Sequence, residues 1–293
     1  MKILVTGATG FVAKHLIPKL NNYDYKLVVR ALSNDYNSKS QIIYDMDNLE
    51  IFRDSIKEYN PDVVIHLASF LTSADDINNI KNIVESNILF TSYLLEALKE
   101  TKLKLFINTG TFAEFYNNDE KQNPAYFYAA SKLAVRPIIQ YFKNLRGFRS
   151  INIIPYSIYG GESKSKKVID FIIDSTKSKE PIAMTSGEQI LDFIHIYDVI
   201  DFYIYCIENI ELLKDDLDYH LGTGIGTSIK QLANLIDKEI DGKVNINWGM
   251  KDYRPLDIMK AIAPISKFKK ELNWHPRISI EDGIKKIIHK EIK

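Results

Sequence analysis

A tyrosine and a lysine four residues apart, Tyr128 and Lys132, are the side chains in this sequence best suited to proton transfer. They lie in a segment of helical character, where a spacing of four places two side chains on one face, one turn apart. A phenol has an ordinary pKa of about 10 and is a poor base at neutral pH, but a nearby cation favours its ionised form. The pair can therefore give or take a proton during a reaction.

A glycine-rich turn near the N-terminus predicts a binding site for a pyrophosphate. The strand-like run Lys2 to Thr6 leads directly into Gly7 to Ala13, at the opening of a helix. The first glycine permits a tight turn, the second lets the backbone approach the pyrophosphate, and the helix N-terminus offers N–H groups and a positive dipole end. The residues that we expect to bind a dinucleotide here are Gly7, Thr9, Gly10, Phe11 and Val12.

The end of the second predicted strand bears on the choice between NADP(H) and NAD(H). NAD-preferring folds carry a carboxylate about 20 residues after the glycine turn, whereas a basic residue suits the 2′-phosphate of NADP. Here no acid stands at the strand tip, and Arg30 does. We therefore favour NADP(H), with NAD(H) as the alternative because Arg30 can also be an ordinary surface arginine. After the third strand, Asp45 and Met46 lie where a carboxylate could accept a bond from the adenine amino group; Asp45 as a turn residue is the alternative.

Short β-branched runs alternate with longer segments of helical period along the chain. This rhythm predicts an α/β fold, a Rossmann-type doubly wound parallel sheet with a smaller C-terminal substrate-binding α/β portion. The predicted strands are Lys2 to Thr6, Lys26 to Ala31, Ser40 to Tyr44, Val63 to Leu67, Lys104 to Thr109 and Ser150 to Tyr156. Residues Asp75 to Glu100 are predicted as one amphipathic helix or two.

The change of rhythm after Gly160 predicts a division of the chain into two functional parts. We assign residues 1–160 to an NAD(P)-binding Rossmann domain, with a returning segment near 190–215. Residues 161–293 are assigned mainly to a substrate-binding domain.

Taken together, these motifs resemble the extended short-chain dehydrogenase/reductases, the family of NAD(P)-dependent sugar-nucleotide epimerases, dehydratases and reductases. The likeness covers essentially the whole chain. Many members of the family carry an arginine directly before an Asp-Phe pair, where this chain has Leu191. The matching stretches are Thr6 to Val12, His66 to Ser69, Glu85 to Leu89, Ile158 to Gly160, Asp192 to Val199, Leu221 to Gly224, Tyr253 to Pro255 and Leu272 to Pro276.

The resemblance implies a role for each residue of the predicted proton-transfer site. Tyr128 would exchange a proton with the sugar, while Lys132 would hold the nicotinamide ribose and lower the tyrosine pKa. Thr111 would form a hydrogen bond with the reacting oxygen, and Thr109, two residues earlier, is the alternative.

The resemblance also implies three residues around the bound molecules. Leu67 and Ala68, after the fourth strand, would line the cofactor. Arg254 would face the diphosphate of a nucleotide sugar, since a planar bidentate donor suits phosphate oxygens. A surface salt bridge is the alternative for Arg254.

Composition restricts the partners and the compartment. The 38 basic and 38 acidic residues cancel, so we expect no nucleic-acid partner. A single cysteine, Cys206, excludes an intramolecular disulfide and a cysteine-cluster metal site; we predict no metal, and a reducing cytoplasm. The apolar runs fall far below the ~20 residues of a membrane-spanning helix, and the residues before the first strand lack the pattern of a signal peptide, so we expect neither a membrane span nor secretion. A homodimer is possible, because the long helix can serve as a dimer surface in such folds.

Three functions remain open from the sequence. The first is reduction of the keto group of a nucleotide-linked 4-keto-deoxyhexose with NADP(H), in deoxysugar supply for a bacterial surface polysaccharide. The second is an NAD-dependent nucleotide-sugar 4-epimerase. The third is a protein that senses a dinucleotide without turnover, and the intact Tyr128 and Lys132 argue against it.

Overall fold

The computed structural model describes residues 1–119, 121–163 and 165–291. The chain divides into two compact units. The first contains Met1–Glu114, Tyr126–Ile154 and Tyr203–Tyr219. The second contains Phe115–Ala125, Pro155–Phe202 and His220–Lys293. The assignment of cofactor and substrate binding to separate parts of the chain stays a prediction.

Strands and helices alternate through the first half of the chain, as the sequence predicts. The strands are β1 (Lys2–Thr6), β2 (Asp24–Val29), β3 (Gln41–Ile43), β4 (Val63–His66), β5 (Leu105–Thr109), β6 (Arg149–Pro155), β7 (Ser157–Tyr159), β8 (Ile182–Met184), β9 (Ile190–His195), β10 (Asp218–Leu221), β11 (Gly226–Ser228), β12 (Ile246–Trp248) and β13 (Lys260–Ala261). The helices are α1 (Phe11–Leu16), α2 (Leu49–Tyr59), α3 (Ile77–Ile83), α4 (Phe90–Ala97), α5 (Phe127–Arg146), α6 (Val168–Ser175), α7 (Ile196–Glu208), α8 (Ile229–Glu239), α9 (Ser266–Glu271) and α10 (Ile280–Glu291).

The central sheet has seven strands in the order β3-β2-β1-β4-β5-β6-β10. The pairs from β3 through β6 are all parallel. This is the strand order of a doubly wound dinucleotide-binding sheet, which confirms the predicted fold class. The order reverses between β1 and β4, and ligands of such sheets bind at the carboxyl ends of the strands at this switch point.

Burial explains why the middle strands are continuous apolar runs. All four residues of β4 are buried, as are the first four of β5, because helices cover both faces of a parallel sheet. The apolar core of the first unit includes Leu4 of β1, Phe52 of α2 and Phe106 of β5. Cys206 is a free buried thiol.

The predicted long helix between β4 and β5 is one helical stretch with a change of winding. Residues Val84–Leu89 form a π-helical segment between α3 and α4. π-Helical segments are rare in proteins, and many of those that occur lie at functional sites. Asn87 lies within this segment, and only 2% of its surface is exposed.

The second unit has its own sheets and core. Strand β9 pairs with β7, β11 and β13, and β8 pairs with β12. Helices α6, α8 and α10 contribute Ile172, Leu232 and Ile284 to a buried apolar cluster. Among the residues that the structure describes, no helix is both long enough and apolar enough to span a membrane.

Candidate active site

Helix α5 carries the predicted proton-transfer pair. It begins after Tyr126 and ends at Gly147, whose left-handed conformation (φ 79°) terminates the helix. Tyr128 and Lys132 lie one turn apart, and their exposed fractions are only 6% and 3%. The pair is therefore held away from bulk water.

Burial has the opposite effect on Tyr128 to the one predicted from the sequence. It raises the pKa of Tyr128, because the interior disfavours the phenolate; a side-chain hydrogen bond with Ser69 opposes this without reversing it. Tyr128 is therefore a protonated phenol at neutral pH, suited to donating a proton.

Lys132 is a buried amine whose pKa lies near neutral pH. Burial lowers the pKa of Lys132 to about 8, against the negative charge of Glu114, which raises it. Its Nζ has no hydrogen-bond partner among the described residues. A buried ammonium of this kind suits an incoming acceptor such as a ribose hydroxyl.

The loop after β5 places Thr111 and Thr109 in different surroundings. The hydroxyl of Thr109 shares a hydrogen bond of 2.7 Å with the Tyr203 hydroxyl. The backbone N–H of Thr111 donates to Oε1 of Glu114 at 2.7 Å, and its hydroxyl accepts a bond of 3.3 Å from the N–H of Ala113. The Thr111 hydroxyl can still donate, which favours Thr111 over Thr109 as the partner of a substrate oxygen.

Asn87 ties the loop after β4 to the catalytic helix. Its side-chain oxygen accepts the N–H of Phe70 at 2.7 Å, and its amide donates to the Ser131 hydroxyl at 2.9 Å. Ser69, which bonds to Tyr128, is the neighbour of Phe70. Asn87 therefore fixes a segment that contacts Tyr128, the predicted proton donor.

His66, at the end of β4, is a neutral structural residue. Its ring nitrogens lie 2.8 Å from the Thr6 hydroxyl and 2.9 Å from the Thr91 hydroxyl. Burial lowers its pKa to about 3, and the positive charge of Lys132 acts in the same direction. A neutral imidazole accepts from one hydroxyl and donates to the other, so it holds β1 and α4 together.

The glycine-rich turn has the backbone geometry of a phosphate-binding loop. Gly7 has φ of +71°, and a Cβ at this position would come within 2.6 Å of the Ala68 backbone nitrogen. The N–H of Gly10 donates to the carbonyl of Gly7 at 2.9 Å. Gly10 precedes α1 and offers no side chain to cap it. The turn leaves the backbone N–H groups at the start of α1 open to a ligand, and the binding of a pyrophosphate by Gly7, Thr9, Gly10, Phe11 and Val12 stays a prediction.

The remaining predicted cofactor residues lie around the same edge of the sheet. Arg30 is exposed directly after β2. Asp45 follows β3 and caps a short helical turn, accepting the N–H of Asp47 at 3.0 Å, and the adjacent Met46 is half exposed. Leu67 and Ala68 follow β4, where Ala68 donates its N–H to the Thr6 hydroxyl at 3.1 Å. Their roles toward a dinucleotide stay predictions.

In the second unit, Arg254 and Asp192 have contrasting positions. Arg254 is exposed, and its guanidinium lies 3.4 Å from Asp257, a surface ion pair of little strength. Asp192, beside Leu191, is fully buried and accepts bonds from Thr223. Asp192 is thus structural, whereas the Arg254 guanidinium is open to an anionic ligand.

Sequence reasoning missed Ser69, Glu114 and Arg136. Ser69 lies within a motif that was recognised, but no spacing connects it to Tyr128. Arg136 follows Lys132 by four residues, so the spacing of four that joins Tyr128 to Lys132 could also have placed Arg136 on the same face of the helix. Glu114 could have been found from its apolar neighbours. A carboxylate within an apolar run is buried almost only when it is paired, so a partner could have been sought.

The fold and these residues define a dinucleotide-binding oxidoreductase of the Rossmann type. Residues 3–222 match the NAD dependent epimerase/dehydratase family, and the chain belongs to that family. This confirms the resemblance found from the sequence and the predicted class of enzyme. It also confirms a nicotinamide dinucleotide as the kind of cofactor.

Similar proteins act on nucleotide sugars. The chain is 27% identical to the CDP-abequose synthase of Salmonella typhimurium over 98% of this chain and 97% of that protein. It is 26% identical to a putative UDP-glucose 4-epimerase of Methanocaldococcus jannaschii, over 98% and 97% of the two chains. The crystal structure of the Thermotoga maritima UDP-glucose 4-epimerase with UDP-glucose has a TM-score of 0.83 at 23% identity, and the match covers 100% of both chains. The structural likeness supports the fold.

Proposed function

We propose that this protein is an NADP(H)-dependent reductase of the keto group of a nucleotide-linked 4-keto-deoxyhexose, in deoxysugar biosynthesis. The observation that carries the proposal is the buried phenol of Tyr128 one helical turn from the buried ammonium of Lys132. Because burial raises the pKa of Tyr128, the phenol keeps its proton until a reaction draws it away. Reduction of a ketone needs one such proton at oxygen for each hydride at carbon.

Each residue has a defined part in this reaction. When bound, the dinucleotide supplies the hydride for the carbonyl carbon. Thr111 donates a hydrogen bond to the carbonyl oxygen, and Tyr128 transfers its proton to that oxygen as the carbonyl π electrons move onto it. The ammonium of Lys132 stabilises the phenolate that remains and holds the ribose hydroxyls. The product is a secondary alcohol, and solvent reprotonates Tyr128.

The similarity to CDP-abequose synthase supports reduction as the first candidate. Abequose is a deoxyhexose, and the similarity to CDP-abequose synthase extends over nearly the full length of both chains. A synthase of a CDP-linked deoxysugar suggests a cytidine-diphosphate sugar as the first substrate to test here.

Arg30 supports NADPH as the reductant. Its guanidinium is exposed at the tip of β2, where a 2′-phosphate would be met, and no carboxylate stands beside it at the strand end. We expect Arg30→Ala to weaken NADPH binding by about 10–100-fold, the range of one charge-assisted hydrogen bond, and to leave NADH binding unchanged. Fluorescence titration with both cofactors measures this; equal loss for both would contradict the assignment.

Further parts of the proposal concern the substrate, the oligomer and the compartment. Arg254 is proposed to bind the substrate diphosphate, since its guanidinium is exposed.

A homodimer is proposed through the outer face of α3, where Ile77 and Ile80 are exposed apolar residues. The cytoplasm is the proposed compartment because nucleotide sugars and NADPH are available there.

A nucleotide-sugar 4-epimerase is the second candidate. The similarity to the Methanocaldococcus protein supports it. An epimerase returns the hydride to the opposite face of the sugar and keeps its cofactor bound, so the purified protein would carry dinucleotide and need none added.

Assays on a panel of nucleotide sugars separate the two candidates. CDP-, UDP- and dTDP-linked 4-keto-6-deoxyhexoses are supplied with NADPH or NADH, and absorbance at the nicotinamide band is followed. We expect NADPH oxidation with at least one keto sugar. Interconversion of two nucleotide hexoses with no net oxidation would establish the epimerase instead.

A further inference from the structure

Glu114 is a buried carboxylate in contact with the catalytic loop. It ends the short helical turn Phe112–Glu114 after β5 and has no exposed surface. Its Oε1 accepts the backbone N–H of Thr111 at 2.7 Å. The loop leaves room for this carboxylate, because a Cβ on Gly110 would come within 2.5 Å of Oε1.

Arg136 connects this carboxylate to the helix that carries the proton donor. Its Nη2 donates to Oε2 of Glu114 at 2.5 Å. Arg136 lies on α5, one turn beyond Lys132 and two turns beyond Tyr128. One ion pair therefore links the Thr111 loop directly to the catalytic helix.

The other side of Arg136 is anchored in the sheet. Its Nη1 donates to both carboxylate oxygens of Asp218, at 2.8 and 2.7 Å. Asp218 also accepts the side-chain amide of Asn152 at 2.9 Å, and Asn152 accepts that of Asn108 at 2.8 Å. A continuous series of hydrogen bonds thus runs from β5 and β6 through Arg136 to Thr111.

The charge of Glu114 acts on the buried ammonium. Its negative charge raises the pKa of Lys132, which burial lowers. Among the described residues, Arg136, the neutral His66 and the phenol Tyr128 are the other titratable groups that interact with Glu114 or Lys132. Burial raises the pKa of Glu114 itself, and the charge of Arg136 together with the N–H of Thr111 opposes that rise.

We propose that Glu114, held by Arg136, is a positioning residue for the reduction: it fixes Thr111 against α5 and places a carboxylate on the stretch of α5 that carries Lys132, one turn before Arg136. The inference rests on the proposed reductase function. Asp218 provides the contrast, because it also neutralises Arg136 but has no bond to Thr111. If the network served folding alone, loss of either carboxylate would have the same consequences.

The test compares the pH dependence of kcat for the wild type, Glu114→Gln and Asp218→Asn. The reaction needs the Lys132 ammonium, so kcat falls as the pH rises through its pKa. Loss of the Glu114 charge moves this alkaline limb to lower pH by about half a unit or more. Asp218→Asn lowers the melting temperature but leaves the limb in place. Coincident limbs for the wild type and Glu114→Gln would overturn the proposal.

A second variant guards against misfolding of the first. In Glu114→Gln an amide nitrogen faces Arg136, so the pair is also changed together as Glu114→Gln/Arg136→Gln, which replaces two charges by two amides. Loss of the Arg136 charge opposes the effect of losing the Glu114 charge on Lys132, so the double variant is assayed on the plateau below the alkaline limb. There kcat is expected to fall, because the ion pair no longer holds the Thr111 loop to α5. A wild-type kcat on that plateau in a folded double variant would overturn the proposal.

A titration without turnover separates this proposal from the reductase function. Lysine labelled with ¹³C at Cε is followed by NMR against pH, and the Lys132 signal is identified by its loss in Lys132→Met. A lower midpoint in Glu114→Gln than in the wild type supports the coupling whether or not a substrate is known. An unchanged midpoint contradicts it even if NADPH-dependent reduction is observed.

Discussion

Glu114 in the first unit and Asp192 in the second are both fully buried carboxylates packed against a glycine. A Cβ on Gly110 would come within 2.5 Å of the Glu114 carboxylate, and a Cβ on Gly222 within 2.6 Å of the Asp192 carboxylate. Burial raises the pKa of both acids, and backbone N–H groups oppose the rise in both. In burial and in contact with a glycine the two sites are alike.

The partners of the two carboxylates differ. Among the described residues, Asp192 accepts bonds from uncharged donors: the N–H and hydroxyl of Thr223 and the N–H groups of Gly224 and Ala263. Glu114 binds the guanidinium of Arg136 and acts on Lys132. The first arrangement closes a loop, whereas the second joins a loop to the ionisable groups of the proposed active site. A buried acid therefore acquires a functional role from its charged neighbours rather than from burial.

The largest expected effect is confined to the first region. Tyr128→Phe removes the proton donor and is expected to lower kcat by ~10²–10⁴-fold, the usual contribution of general acid–base catalysis. Affinity for the dinucleotide, measured by titration calorimetry, should remain close to that of the wild type. Activity within a few-fold of the wild type would remove Tyr128 from the mechanism.

The next largest expected effect is the dependence of the wild-type kcat on pH. Burial lowers the pKa of Lys132 to about 8, so the ammonium is present below that pH and lost above it. We expect kcat to fall about tenfold per pH unit on the alkaline side, as for loss of one required proton. Steady-state rates from pH 6 to 10, in roughly half-unit steps, measure the limb. A flat profile would show that the ammonium is not required.

Substitution of Asp192, in the second unit, should lower the stability of the protein and leave the dependence of kcat on pH unchanged. Asp192→Asn leaves an amide nitrogen facing the N–H groups of Gly224 and Ala263, and we expect the free energy of unfolding to fall by roughly 2–4 kcal/mol, since each unsatisfied buried donor costs about 1–3 kcal/mol. Urea denaturation measures the loss. An alkaline limb displaced as far as in Glu114→Gln would remove the distinction between the two acids.

The smallest expected effects come from the two glycines. An added methyl at Gly110 or at Gly222 presses on the adjacent carboxylate, and each alanine variant is expected to lose about 1–3 kcal/mol of stability through overpacking. Only Gly110→Ala should also lower kcat, because the displaced carboxylate is that of Glu114. Equal kcat values in the two variants would contradict the proposed link from Glu114 to Thr111.

Local pattern predicted most of the fold. The six predicted strands all occur, each end within two residues of its predicted position. Strand β10 was not predicted, because Asp218 to Leu221 is short and lacks a β-branched run. β10 joins the sheet by pairing beside β6, a strand more than 60 residues earlier, so its neighbouring residues alone do not predict it.

The candidate site was predictable only where its residues share a helix or a turn. The spacing of Tyr128 and Lys132, and the turn from Gly7 to Gly10, are local patterns that the structure forms as expected. The partnership of Glu114 with Arg136 joins two segments 22 residues apart, so no periodicity shows it. The direction of the Tyr128 pKa was also beyond local pattern, since it depends on how completely the helix is buried.

Isotope transfer tests the central claim, net reduction with Tyr128 as the acid, most directly. NADPH carrying deuterium at the transferable position of C4 is incubated with the enzyme and a CDP-linked 4-keto-6-deoxyhexose, and the product is examined by mass spectrometry. The account predicts one deuterium in each product molecule, one NADPH oxidised for each alcohol formed, and little product from Tyr128→Phe. A product without deuterium, formed while NADPH is unchanged, would contradict it.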